Sequence, residues 1–210
     1  QAACSAQESW TLSPTRSLGE ADKRGRAAAA EDEEPGYSED GPAASAAAGG
    51  ALVGRVCHRV LESWDFSAGA RFKDEDVARA AGRAAQEMAG AEPNESWASA
   101  AREAAGILSV FLRSTSGLRI SKAEILGREI PFVYEQEGAV LRGVIDVLYR
   151  EDGRLIVADY KSEKVSAKDA AARREKYAVQ GQAYAAAVEK TLGEKPQFRV
   201  LFLRAPELDV

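Results

Sequence analysis

The chain has 210 residues, with 28 Lys and Arg against 33 Asp and Glu, one histidine and two cysteines. That length holds one ordinary domain plus a tail. Cys4 and Cys57 are too few for a disulfide scaffold or a cysteine-ligated zinc or iron–sulfur site, which points to a reducing, cytoplasmic setting, and no apolar run reaches the roughly 18 residues of a membrane span.

Residues 1–50 differ from the rest. Ala27 to Ala30, the acidic run Glu31 to Glu34, Pro35-Gly36 and the stretch from Gly41 to Gly50 have the composition of a flexible acidic, Ala/Gly-rich linker. Such a segment has too few large apolar side chains to offset the entropy of ordering. The chain starts at Gln1, so the expectation is a piece of something longer, with residues 51–210 as its folded domain and a signal peptide ahead of Gln1 left open. The linker's four basic and nine acidic residues account for the whole net charge of −5, and residues 51–210 balance at 24 and 24. A neutral domain argues against a broad nucleic-acid surface. It leaves a local basic strip from Lys161 to Lys176, for which a solvated helix start is the competing reading.

The first helix is predicted over Ala51–Trp64, with Val53, Val56, Val60, Leu61 and Trp64 as its apolar stripe. Gly54, His58 and Glu62 stand four apart on another face, where Gly54 permits close approach of a second backbone. Taken alone, a single histidine on a helix is more often a packed polar residue than a ligand. Two Ala-rich helices follow, Asp74–Ala89 and Ser96–Arg113, separated by Glu92-Pro93-Asn94, and they carry core residues rather than chemistry. From Glu124 the period becomes strand-like, with a run from Ile130 to Tyr134, a turn at Gln136 to Gly138, and a strand leading to Asp146. Glu129 is read as an edge charge, with an accessory ligand as the alternative. After Lys161 the pattern predicts a helix over Ala170–Thr191 closed by Gly193. Tyr177, Gln180, Gly181, Tyr184 and Val188 share one face of it, and Gln180 needs a partner if buried. Phe198–Leu203 is the last strand.

Most of the chemistry lies between Gly143 and Lys161. Two β-branched apolar runs flank Asp152-Gly153, which favours a two-residue type I′ turn because both central residues must take positive φ. If Glu151 pairs with Arg154, counting outward sets Leu148 opposite Val157, Asp146 opposite Asp159 and Val144 opposite Lys161. Opposed residues have Cβ atoms roughly 5 Å apart, so two carboxylates repel unless something positive lies between them. Asp146, Asp159 and Lys161 then share one face. A solvent-facing hairpin is the competing reading. Against it, Val144, Ile145, Val147, Leu148, Leu155, Ile156, Val157 and Ala158 make both faces apolar, as in a central strand pair whose charges need partners.

Taken in order, Gly54-x-x-x-His58-x-x-Leu61-Glu62, Gly143-Val-Ile-Asp146, Asp159-Tyr-Lys161 and Gln180-x-x-x-Tyr184 resemble the RecB-type nuclease domain of the PD-(D/E)xK superfamily, which sits at the C-terminus of bacterial helicase–nucleases. The resemblance covers roughly residues 50 to 205. Its usual proline before the first acid is replaced here by Val144-Ile145. It implies an α+β, restriction-endonuclease-like αβββαβ core, with a mixed central sheet flanked by helices and a helical pair inserted after the first helix. It implies a Mg²⁺- or Mn²⁺-dependent DNA nuclease, exonucleolytic, in double-strand-break processing and repair. His58, Asp146, Asp159 and the main-chain carbonyl of Tyr160 would bind the ion, and Asp146, Asp159 and Lys161 would be catalytic. Gln180 and Tyr184 would support the site, Arg173, Arg174 and Lys176 would touch phosphates, and Glu62 and Glu129 would be accessory.

The implied partners are DNA, a helicase domain of the same longer chain and a second helicase–nuclease subunit, without a membrane. No Gly-x-x-x-x-Gly-Lys-Ser/Thr run occurs, so ATP would enter only through a helicase part outside these residues. Two other classes stand beside this reading. One is a catalytically inactive nuclease-fold module with a structural or DNA-binding role, which a metal-dependent cleavage assay separates from the enzyme. The other is an unrelated α+β interaction domain, which an αβββαβ core would dispose of.

Overall fold

A computed structural model describes residues 42–90, 95–136 and 139–208. The break predicted at Glu92 to Asn94, the centre of the turn at residues 137–138 and most of the 1–50 stretch lie outside the described residues. Three long helices come first: α1 (Pro42–Ser63), α2 (Asp74–Ala89) and α3 (Glu95–Arg113), followed by the short α4 (Thr115–Ile120). Then come β1 (Glu124–Gln136), β2 (Ala139–Glu151) and β3 (Arg154–Lys161), α5 (Ala170–Leu192) and β4 (Gln197–Phe202). One sheet runs in the order β1-β2-β3-β4, antiparallel except for the parallel β3/β4 pair. It is the mixed sheet with flanking helices that the order αβββαβ predicts. Among the described residues no helix is long and apolar enough to cross a membrane.

Helix α1 starts at Pro42 rather than Ala51 and so takes in the end of the stretch read as linker. Proline is tolerated in a first helical turn, and the alanines after it are the strongest helix formers. Helix α4 was not foreseen. Its N-cap is Ser114, whose hydroxyl accepts from the Gly117 amide at 3.2 Å, a local signal too short to stand out in a periodicity argument.

The centre of the sheet is buried on both faces. Helices α1, α2 and α3 cover Val147, Tyr149, Ile156, Ala158 and Tyr160 on one side. On the other, Tyr184 and Val188 of α5 cover Ile145, Leu148, Leu155 and Val157. Helix α5 meets the sheet closely because position 181 is glycine; a Cβ there would stand 2.1 Å from the Phe198 ring. Six consecutive residues of β3, Leu155 to Tyr160, are buried, as the apolar run predicted for a central strand.

The Asp152-Gly153 turn has φ values of 48° and 78°, the positive pair that a type I′ turn requires. The ladder then follows the predicted register from Glu151↔Arg154 through Leu148↔Val157 to Val147↔Ala158, where it stops. The predicted pairings of Asp146 with Asp159 and of Val144 with Lys161 are not made. Ile145 packs on the α5 side together with Leu148, three residues away, so the strict two-residue alternation slips at Asp146. Beyond Val147 the two strands part, and the chemistry lies in the opening.

Candidate metal centre

Helix α1 brings His58 to the opening between β2 and β3. Its seating depends on Gly54, one turn earlier, where a Cβ would come within 2.9 Å of Ser162 Oγ just past β3. At its C-terminal end the carbonyls of Glu62 and Trp64, which lack helical partners, accept from Arg128 Nη1 at 3.0 and 2.8 Å. Arg128 lies on β1, so the same strand that clamps the helix presents its next residue, Glu129, to the site.

His58 Nε2 lies 3.1 Å from the Tyr160 carbonyl. Nδ1 points the other way, 3.4 Å from Asp146 Oδ1 and 3.7 Å from Glu129 Oε1. The other oxygen of Asp146 accepts the Tyr160 amide at 2.6 Å, so a side chain takes the hydrogen bond left open where the ladder ends. Asp159 turns toward α5, and its Oδ2 faces Lys161 Nζ at 2.9 Å. Lys161 is held further by Gln180 Oε1 at 3.4 Å and by the Tyr177 ring, whose centroid lies 4.5 Å from Nζ. Gln180 in turn donates to the Tyr184 hydroxyl at 2.6 Å. The Tyr184 ring stands edge-on to Phe132, and Phe132 has room because position 143 is glycine, where a Cβ would be 2.8 Å from the ring.

These groups shift one another's protonation. Burial would depress His58, but the carboxylates of Asp146, then Glu129 and Asp159, outweigh it and hold the imidazole well above its ordinary 6.5. Asp159 is raised from 3.8 to about 6, chiefly by burial; the Lys161 ammonium opposes the rise and the Asp146 charge adds to it.

The donor set fits a divalent cation. His58, Glu129 and Asp146 each offer one ligand atom, all within 4.8 Å of one another, and His58 Nδ1 faces both carboxylates without a hydrogen bond to either. Two carboxylates and one imidazole suit Mg²⁺ or Mn²⁺. A family model of the PD-(D/E)XK nuclease superfamily matches residues 34–208.

The chain belongs to this superfamily.

Among curated proteins, it is similar to an ATP-dependent helicase/nuclease subunit of Clostridium kluyveri, with 32% identity over 109 residues, covering 44% of this chain and 9% of that protein. The protein of the same name from Clostridium novyi is 30% identical over 118 residues, covering 48% of this chain and 10% of that protein. The one from Desulforudis audaxviator is 32% identical over 164 residues, or 71% of this chain and 13% of that protein. The chain therefore spans about a tenth of the length of the curated relatives it matches.

The structure gathers His58, Asp146, Asp159, the Tyr160 carbonyl, Lys161, Gln180 and Tyr184 at one end of the sheet. It splits them into two halves, however. Asp146 faces α1 and His58, while Asp159 and Lys161 face α5, because of the slip at Asp146. Glu129 is not an edge charge: its carboxylate is turned inward to His58. Glu62 is not among the three residues of the cluster; its carboxylate accepts from Arg59 at 2.7 Å at an exposed position. Of the basic residues proposed for phosphates, Arg173 pairs with Glu163 at 3.1 Å and Arg174 donates to the Leu208 carbonyl at 3.0 Å, so both have structural work. Lys176 is exposed, 5.6 Å from the centre of the Tyr177 ring. Tyr177 itself was read only as part of an apolar face; its hydroxyl donates to Glu163 at 2.6 Å while its ring meets Lys161. Its place three residues before Gln180, on the same helix face, was the signal that it lay near the site.

Proposed function

We propose that this domain hydrolyses DNA phosphodiester bonds with Mg²⁺ or Mn²⁺, exonucleolytically, as the nuclease part of a longer helicase–nuclease that processes double-strand breaks. The observation that carries this reading is the meeting of two units at one sheet end: His58 with Asp146 at 3.4 Å, and Asp159 with Lys161 at 2.9 Å. His58 and Asp146 would hold the cation, with Asp159 linking it to Lys161. When bound, such an ion supplies Lewis acidity and a water of lowered pKa. Lys161 does the rest from its fixed place. Its ammonium, steered by Asp159 and Gln180, orients the attacking water toward phosphorus and stabilises negative charge on the phosphoryl oxygens. The water oxygen forms the new P–O bond as the bond to the leaving sugar oxygen breaks. The products are a terminal phosphate and a hydroxyl, and the proton that water loses balances the one the leaving oxygen gains.

The curated relatives are named as helicase/nuclease subunits, which supports a helicase partner in the same chain and a second subunit beside it. The test is cleavage of end-labelled single- and double-stranded DNA with Mg²⁺, with Mn²⁺ and with chelator. Metal-dependent shortening from the ends supports the reading. Wild-type protein that binds the ion and cuts neither substrate overturns it.

A further inference from the structure

Lys161 carries its charge at the end of a long flexible stem, so its place has to be imposed by neighbours. Asp159 Oδ2 stands 2.9 Å from Nζ, but a carboxylate that fixes an ammonium also offsets the charge it can offer a phosphate. The Tyr177 ring, with its centre 4.5 Å from Nζ, attracts the ammonium through its quadrupole and is itself neutral. It holds the charge without cancelling it.

The ring is fixed from several sides. Its hydroxyl donates to Glu163 Oε1 at 2.6 Å, Arg173 Nη1 anchors Glu163 at 3.1 Å, and the ring packs with Val200, Phe202 and Ala205. Burial and the Glu163 carboxylate push the phenol well above its ordinary value, so the hydroxyl stays a donor. Donation to a carboxylate makes the phenol oxygen, and with it the ring face, more negative, which strengthens the hold on a cation. Arg173, Tyr177, Gln180 and Tyr184 recur at spacings of four, three and four residues and so form one stripe of α5. Lys176 lies off that stripe, exposed, with Nζ 5.6 Å from the same ring centre.

We propose that Tyr177 is the positioning residue for Lys161: its ring face holds the ammonium where the attacking water and the phosphate meet it, and Glu163 with Arg173 holds the ring. The proposal rests on the nuclease reading for the reaction. It gives Arg173 a part in cleavage through Glu163 rather than through a phosphate contact.

The test compares Tyr177→Leu and Tyr177→Phe in the whole chain, with end-labelled DNA and Mg²⁺. Tyr177→Leu keeps an apolar side chain but loses the ring face. It should lower kcat by about tenfold, the kinetic equivalent of about 1.36 kcal/mol, with KM within about twofold of wild type. Tyr177→Phe restores the face and should return kcat to within about threefold. In Lys161→Ala protein, Tyr177→Leu should change kcat by less than about twofold, because Tyr177 acts through that lysine. A further tenfold loss there, or an undiminished kcat in Tyr177→Leu alone, overturns the proposal.

A second measurement does not depend on cleavage. In ¹H–¹³C spectra of protein labelled at lysine, the Lys161 ε-methylene signal is identified by its absence in Lys161→Ala. It should be shielded by the ring current in wild type and Tyr177→Phe, and unshielded in Tyr177→Leu. An unshielded signal in wild type overturns the proposal even if Tyr177→Leu fails to fold. The two readings fail separately. An active wild type with an unshielded Lys161 sinks this proposal alone, and a wild type that shields Lys161 and binds Mg²⁺ yet cuts nothing sinks the nuclease reading and leaves Tyr177 holding the lysine.

Discussion

Asp159→Asn tests the electrostatics of the opening between the strands. Asp159 is 3% exposed, and burial with the nearby Asp146 raises its carboxyl from 3.8 to about 6 in spite of Lys161. That rise of about two units, at about 1.36 kcal/mol each, makes the ionised form cost about 3 kcal/mol of folding stability in metal-free protein. The folded value lies above the unfolded one, so this stability is fully present below pH 3.8 and is lost as pH rises through about 6. Asparagine does not titrate, and its own contacts, good or bad, do not change with pH. The pH dependence of the difference in unfolding free energy between variant and wild type therefore reports the Asp159 carboxyl together with the charges that act on it. Measured in chelator by urea denaturation with tryptophan fluorescence, the difference should move in the variant's favour by about 3 kcal/mol between about pH 3.5 and 6.5. Over most of that window His58 is protonated both folded and unfolded, and Lys161 is charged throughout, so neither supplies the change. A flat difference would mean that Lys161 fully compensates the burial of Asp159. A difference moving toward wild type would mean that the ionised carboxylate holds the fold together, and the account of this site would fail.

Lys161→Ala should reduce the cleavage rate by about 10²–10³-fold, the usual loss on removing a preorganised charge at a transition state, with circular dichroism unchanged; undiminished cleavage would remove Lys161 from the mechanism. Gly181→Ala drives a methyl group to 2.1 Å from the Phe198 ring, so it should cost about 1–3 kcal/mol in thermal or urea unfolding, and an unchanged midpoint would show that α5 can shift freely on the sheet. Glu151 is held by Arg119 at 2.6 Å and Arg199 at 2.7 Å, which pull it from 4.5 to about 2. Its stabilisation is present above pH 4.5 and lost as pH falls through about 2; Glu151→Gln should cost about 1–2 kcal/mol at pH 7, after solvent screening, and flatten the acid limb.

Much of this geometry was legible because strand periodicity and turn chemistry are local. Asp152-Gly153 dictates its turn, the turn dictates the register, and the register is observed from Glu151↔Arg154 to Val147↔Ala158. The same counting, applied to the neighbouring hairpin, would have found Glu129. Outward from Gln136↔Ala139 the pairs run through Pro131↔Val144 to Ile130↔Ile145 and set Glu129 across from Asp146. Four-residue spacing puts Glu62 on the stripe of His58, but it sits one turn farther along, where its carboxylate meets Arg59 at an exposed position. Helical spacing gives a face; how far along that face the sheet reaches depends on packing that no local pattern encodes.

What no counting could supply is the slip at Asp146, and its position has a physical reason. Perfect register would line up Glu129, Asp146 and Asp159 on three adjacent strands, neighbours roughly 5 Å apart, in a sheet whose centre is buried on both faces. Like charges so placed cost far more than the roughly 0.5–1.5 kcal/mol net of each ladder hydrogen bond given up. The chain gives up the bonds. Glu129 takes a positive φ, Asp146 turns to α1 and accepts the Tyr160 amide in place of a backbone partner, and Asp159 turns to α5 and Lys161. Regularity thus ends where the charges begin, and the sequence rule fails at the row where the chemistry requires it to. The gap that relieves the repulsion in the ion-free protein is also the space into which the carboxylates and the imidazole nitrogen converge.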